Sequence, residues 1–114
     1  MMTVTIYHNP RCTKSRETLA RLKDQGIEPK VELYLDNPPD VKTLKQLLKK
    51  LGLKPEQLVR KKDHKALGLP VATTDAEWIA QMAANPKIIE RPIVVVGSQA
   101  RLGRPPESVD EILP

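Results

Sequence analysis

Three features of the 114-residue chain predict an α/β fold: a four-stranded mixed sheet with a helical insert between the second and third strands. The N-terminal stretch reads strand, helix, strand with short connections, which is a βαβ unit. Near the C-terminus, Ile93-Val94-Val95-Val96 follows a proline and runs into a Gly-Ser turn, the pattern of a buried strand entering a hairpin. Between these two stretches, residues 40–85 carry helical periodicity.

Residues 3–7 are a short β-branched and aromatic run and read as a strand. A polar turn, His8-Asn9-Pro10-Arg11, leads to Cys12 and a helix over about 13–25, with Leu19 and Leu22 on one face. Gly26 stands where a C-terminal cap belongs, and Ile27 supplies the usual apolar contact after it. Val31-Glu32-Leu33-Tyr34-Leu35 alternates as a second strand, expected to lie parallel to the first. Asp40 is a candidate N-cap for a helix that stripes Val41, Leu44, Leu47, Leu48 and Leu51 on one face and stops at Gly52. Pro55 suits the first position of a short helix carrying Leu58 and Val59 and running into Arg60-Lys61-Lys62. Residues 63–73 read as irregular. Thr74 with Glu77 forms a capping-box pattern, and the helix after it presents Trp78, Ile79 and Met82 before Asn85-Pro86 ends it. Pro92 opens the third strand, and Gly97-Ser98 is a two-residue hairpin signal with Gly first. Gln99 to Gly103 returns as the fourth strand, and Pro105-Pro106 opens a last helix carrying Val109, Ile112 and Leu113. The order is that of a thioredoxin-like layout, with helices on both faces of the sheet. A proline that opens the third strand and faces the first helix is expected to be cis, so the Arg91–Pro92 bond is the candidate.

The totals bound the function. Residues 1–114 fit a single domain. There is no Phe, so the core falls to Leu, Ile, Val and Ala, with Trp78 as the one large ring. No apolar run approaches membrane-spanning length, and Thr3, Thr5 and His8 interrupt any signal-like segment. One cysteine makes no internal disulfide, which points to the cytoplasm. The net charge of +5 fits either a solvated basic surface or an anionic small-molecule substrate. Nucleic acid is a weak candidate, because the basic residues are not interleaved with aromatics and no zinc-finger or helix-turn-helix pattern is evident.

The chemistry concentrates at Cys12. A helix start offers unpaired N–H groups and the positive end of the macrodipole, which together stabilise a thiolate and make an anion site. If the fold is as predicted, Arg91 and Arg104 arrive at the same region from strand ends, and Arg60 reaches over from the insert. Three guanidiniums around one thiolate would hold an oxyanion with fork-like donors. Each arginine also has a plain alternative: Arg60 as a solvated surface charge beside Lys61 and Lys62, Arg91 and Arg104 as braces of strand ends. His8 is either a structural histidine or a group that polarises the thiolate region. Ser15 is a helix-cap residue, a hydrogen-bond donor to the thiolate, or both. No metal-ligand pattern is present, and His64 carries no assignment.

Four stretches, His8-Asn9-Pro10-Arg11-Cys12, Leu58-Val59-Arg60-Lys61, Glu90-Arg91-Pro92-Ile93-Val94-Val95 and Arg101-Leu102-Gly103-Arg104-Pro105, resemble the signature segments of the glutaredoxin-coupled arsenate reductase family. The resemblance spans the chain in the right order and is strongest to a compact, YfgD-like subgroup, since the chain stops soon after Pro106. It implies a nucleophilic Cys12, oxyanion binding by Arg60, Arg91 and Arg104, and a role for His8 in setting up the thiolate. It also implies reduction of arsenate to arsenite with no bound cofactor, glutathione as co-substrate and glutaredoxin as partner. Two other functions share the layout. One is a non-catalytic regulatory or interaction protein of the same superfamily; Ser15 in place of a second cysteine removes its intramolecular switch. The other is a monothiol glutaredoxin-like thioltransferase, with which the chain shares Cys-x-x-Ser.

Overall fold

Val4–Tyr7 forms β1, and its alternation buries Val4 and Ile6 while Tyr7 is half-exposed. The computed structural model describes residues 3–114. Helix α1 spans Thr13–Asp24, β2 Lys30–Glu32, β3 Ile93–Val96 and β4 Gln99–Leu102. The sheet order is β2-β1-β3-β4. β1 and β2 run parallel, while β1–β3 and β3–β4 are antiparallel. Register places Val4 opposite Val96 and Ile6 opposite Val94, so one face presents four aliphatic side chains together. Leu22 of α1 and Val109 and Ile112 of a C-terminal 3-10 helix, Pro106–Ile112, join them in one buried cluster. Fully burying each such side chain contributes roughly 1.5–3 kcal/mol. Arg21 of α1 forks the carboxylate of Asp110 through Nε and Nη2, tying the 3-10 segment to the helix. That contact holds the Asp110 carboxyl down at about 2.

These elements, residues 3–37 with Arg91–Pro114, form one compact unit of the chain, and Pro38–Glu90 forms the other. In the second unit α2 spans Val41–Leu51, α3 Pro55–Leu58, α4 Lys61–Ala66 and α5 Asp75–Ala84, followed by a 3-10 turn at Pro86–Ile88. α2 and α3 pack on α5, and Leu44, Leu47, Leu58, Trp78 and Met82 are buried. Val59 and Ile89 form an isolated antiparallel bridge, flanked by Arg60 N–H to Ile88 O at 2.6 Å and Glu90 N–H to Leu58 O at 2.8 Å.

Local signals set most boundaries. The Asp40 carboxylate accepts from Thr43 N–H at 2.8 Å and caps α2. At the end of α1, Gly26 N–H bonds Lys23 O and Ile27 N–H bonds Leu22 O, a Schellman closure that needs the positive φ of Gly26. The hairpin turns at Gly97-Ser98, with φ of 60° at Gly97. The Arg91–Pro92 bond is cis, and so is Arg104–Pro105, which the sequence did not point to.

Four expectations are corrected. The second strand ends at Glu32, and Leu33–Asn37 folds back locally, with Asp36 and Asn37 N–H both on Leu33 O at 3.0 Å. The alternation there buries Tyr34 and leaves Val31, Leu33 and Leu35 about two-fifths exposed, the reverse of a leucine-in strand. Residues 61–66, expected partly as irregular chain, are helical. Their charged sequence shows no apolar stripe, and the segment is anchored instead by the buried His64, 2.8 Å from Gln81 Oε1 and against the Trp78 ring. The Thr74–Glu77 box is half made: Thr74 Oγ1 accepts from Glu77 N–H, but the Glu77 carboxylate takes Thr73 N–H and hydroxyl. The last helix is 3-10 rather than α.

Candidate active site

The loop after β1 is built to present one side chain. His8 N–H extends the sheet pairing onto Glu32 O at 2.8 Å. Asn9 Oδ1 then accepts from Arg11 N–H, and Cys12 N–H bonds Asn9 O, both at 3.0 Å. With Pro10 at the second position this is a tight turn that ends on Cys12. The Arg16 guanidinium braces it from α1, donating to Pro10 O at 3.0 Å and Thr13 Oγ1 at 3.2 Å. Cys12 is the N-cap of α1, in extended conformation and half-buried, with Arg16 N–H closing the first helical bond on its carbonyl.

At the N-cap the sulfur faces the first-turn amides. Burial pushes the Cys12 thiol up, but the backbone N–H of Ser15, the Arg91 guanidinium and the backbone N–H of Lys14 act against it and win. The thiol therefore sits below its ordinary value. Arg104 adds a second guanidinium, with Nη2 3.7 Å from Cys12 Sγ. Its Nε donates to Arg91 O at 2.9 Å, so the two arginines are fixed to one another through backbone. Arg91 is buried beside the cis proline.

Gly103 makes this convergence possible. Its N–H bonds Pro92 O at 3.0 Å. A Cβ on Gly103 would collide with Thr18 Oγ1 and lie 2.7 Å from Pro92 Cγ. Only a residue without a side chain lets the end of β4 pass between α1 and Pro92 on its way to Arg104.

Behind the sulfur, His8 Nδ1 lies 2.7 Å from the hydroxyl of Ser15, which also accepts from Asn9 N–H at 3.0 Å. The Ser15 hydroxyl is thus engaged by the loop, and it is the Ser15 backbone N–H that acts on the thiolate. Burial, then the charges of Lys23 and Arg16, hold His8 below the usual imidazole value, so its ring is neutral at pH 7. The structure therefore brings together Cys12, Arg91 and Arg104, with His8 and Ser15 locking the loop beneath them. Arg60 belongs to the helical unit, where it is the N-cap of α4 and its Nη1 donates to Asp63 Oδ2 at 2.9 Å. Asn9, Arg16, Thr18 and Gly103 were not singled out from the sequence. Asn-Pro as a turn signal could have found the first; the others depend on long-range approach.

Among the described residues no group of three or more His, Cys, Asp or Glu is placed to hold a metal, and no helix is long and apolar enough to cross a membrane. The site is a thiol held below its ordinary pKa, with the guanidiniums of Arg91 and Arg104 beside it. Residues 7–112 match the ArsC family. The chain belongs to that family. Its ArsC relatives include an arsenate reductase of Haemophilus influenzae, 47% identical over 116 residues that cover 98% of this chain and 100% of that one. YfgD of Escherichia coli K12 is 53% identical over 114 residues, 96% of each chain. Among solved structures, an arsenate reductase from Vibrio cholerae superposes with a TM-score of 0.88 at 50% identity, covering 98% of both chains. The fold of this ArsC chain is accordingly the thioredoxin-like one of these neighbours, and the Cys12 loop, Arg91 and Arg104 all fall inside the matched segment.

Proposed function

We propose that the protein reduces arsenate to arsenite through Cys12, using glutathione and then glutaredoxin as external reductants in the cytoplasm. The observation that carries this is the pairing of a depressed thiol pKa at the α1 N-cap with two guanidiniums, Arg91 and Arg104, at the sulfur. The arsenate reductases among its relatives support the choice of oxyanion.

The Cys12 thiolate attacks arsenic. A sulfur–arsenic bond forms, and one arsenate oxygen takes up protons and leaves as water. Arg91 and Arg104 bind the oxyanion and stabilise the charge that develops on it. Arsenic is still As(V) in this adduct. The chain has one cysteine, so the next thiol must come from outside. A glutathione thiolate attacks the Cys12 sulfur. A sulfur–sulfur bond forms, the sulfur–arsenic bond breaks, and its electron pair stays on arsenic, which departs as arsenite, As(III). Glutaredoxin then attacks the glutathione sulfur of the mixed disulfide and releases Cys12 as thiolate. His8 and the Ser15 hydroxyl hold the loop in place, so the Cys12 sulfur stays aligned both when it attacks and when it is attacked.

The test is a coupled assay with arsenate, glutathione, glutaredoxin and NADPH-driven recycling. Arsenate-dependent NADPH oxidation is expected, and Cys12→Ser is expected to abolish it while keeping the helix, because Ser caps helix starts well. Absence of turnover at high concentration of folded protein would overturn the assignment.

A further inference from the structure

Cys12 sits at the joint between two stiff pieces. On one side is the turn from Asn9 to Cys12, closed by Cys12 N–H on Asn9 O and by Arg11 N–H on Asn9 Oδ1, both at 3.0 Å. On the other is α1, which begins at Thr13. The joint is Cys12 itself, extended at φ −93° and ψ 122°, and its backbone angles set where Sγ lies relative to the first-turn amides. Two side chains from consecutive positions of α1 span that joint. The Ser15 hydroxyl accepts from Asn9 N–H at 3.0 Å on the buried side. Arg16 works on the exposed side: Nη1 donates to Pro10 O at 3.0 Å and Nη2 to Thr13 Oγ1 at 3.2 Å. One planar guanidinium thus bonds the piece before Cys12 and the piece after it.

We propose that Arg16 is a positioning residue for Cys12: its fork locks the turn to α1 across the Cys12 joint and so holds the sulfur against the first-turn amides and Arg104. The inference deepens the reading of Cys12 as the attacking group and rests on it. Arg16 is not among the main influences on the thiol, which are burial, the Ser15 and Lys14 N–H groups and Arg91. Its route to the sulfur is therefore the backbone. The amides favour the thiolate only while they point at Sγ, so a looser joint weakens them. Attack depends on the same alignment, and a misplacement of about 1 Å costs roughly a hundredfold in rate. Binding of the oxyanion falls instead to Arg91 and Arg104, and the bond from Arg104 to the Arg91 carbonyl does not involve Arg16. The charge of Arg16 has a separate effect: after burial and Lys23, it helps to hold His8 low. A lysine at this position would keep that charge without the fork.

Arg16→Ala, Arg16→Lys and Thr13→Ala separate the fork from the charge. The first readout needs no arsenate: the rate of Cys12 alkylation by iodoacetamide, an uncharged reagent, is followed against pH. Arg16→Ala should move the midpoint of that profile up by about half a unit, as the amides lose part of their hold on the thiolate. In the coupled arsenate assay kcat should fall about tenfold while KM stays within about twofold. Arg16→Lys should lie closer to Arg16→Ala than to the parent chain in both readouts. Thr13→Ala cuts one arm of the fork and should change each readout by less. Combined with Arg16→Ala, it should do no more harm than Arg16→Ala alone. Both side chains are exposed and Ala suits a helix, so melting temperatures should stay within about three degrees of the parent. An unchanged alkylation profile in Arg16→Ala, full recovery in Arg16→Lys, or a loss confined to KM overturns the inference. Should Arg16→Ala fail to fold, an unchanged profile in Thr13→Ala overturns it equally. A shifted profile in a protein that does not turn over arsenate upholds the role of Arg16 and removes the arsenate assignment instead.

Discussion

Two helix starts in this chain place an ionisable side chain at the N-cap, to different ends. At α2, the Asp40 carboxylate takes Thr43 N–H, three residues on, and that bond is the first cause of its lowered pKa. At α1, Cys12 occupies the equivalent N-cap position, and Ser15 N–H, again three residues on, is the first of the influences that lower its thiol. Asp40 is exposed, so nothing much opposes its ionisation and nothing beyond the helix is needed to favour it. Cys12 is half-buried, and burial is the largest single influence on it. There the amides contend with desolvation, and the Arg91 guanidinium acts on their side. The difference separates a cap that holds a helix from a cap that tunes a thiol: the second works against partial burial and draws on imported cations.

The comparison breaks most sharply at Arg91. Arg91→Ala removes the guanidinium that offsets burial, so the pH profile of Cys12 alkylation should move to higher pH. Arsenate turnover should fall about a hundredfold, the usual loss for one donor to a developing oxyanion. An unchanged alkylation profile would mean that the helix amides suffice and that Cys12 is, electrostatically, another Asp40.

A smaller effect is expected at Gly103. Gly103→Ala drives a methyl into Thr18 and Pro92, which should cost about 1–3 kcal/mol and lower the melting temperature by several degrees. Thr18→Ala in the same chain removes both Thr18 atoms within 3.1 Å of that methyl and should recover part of the loss. If the double variant is no better than the single one, the close approach at Gly103 is not what places Arg104.

How much of this was legible follows from how local each cause is. Cys12 at a helix start, Asp40 and Gly52 as caps, the Gly97-Ser98 turn and Pro92 at a strand entry are all signals within a few residues, and the structure has each of them. Leu33–Asn37 misled because alternation reports which side chains face which way, not whether the backbone pairs; Tyr34 went in and its leucine neighbours stayed out. α4 hid because Lys61–Ala66 has no apolar stripe, and its buried anchor, His64, depends on Gln81 far along the chain. At the site, the position of Cys12 at the helix start was visible. The bond from Arg104 to the Arg91 carbonyl and the passage of Gly103 between Thr18 and Pro92 were not, because both arise only when β3, β4 and α1 are assembled.

The smallest effect sharpens the comparison most, because the two caps should respond to pH in separate windows. A group whose folded pKa is depressed stabilises fully above its unfolded value, and the benefit is lost as pH falls through the folded one. For Asp40 the unfolded value is 3.8, so Asp40→Ala should lower the melting temperature by about a few degrees at pH 6. That gap should close as the pH is taken below 4. For Cys12 the reference is 9.0, so its thiolate contributes increasingly as pH rises from the lowered pKa toward 9. The melting-temperature difference between the parent chain and Cys12→Ser should therefore grow over that alkaline range and stay flat in acid. Melting curves of the three proteins from pH 3 to 9.5 give both windows at once. Parallel curves for the parent and Cys12→Ser above pH 7 would show that the folded state does not favour the thiolate, and the contrast between the two helix starts would fail.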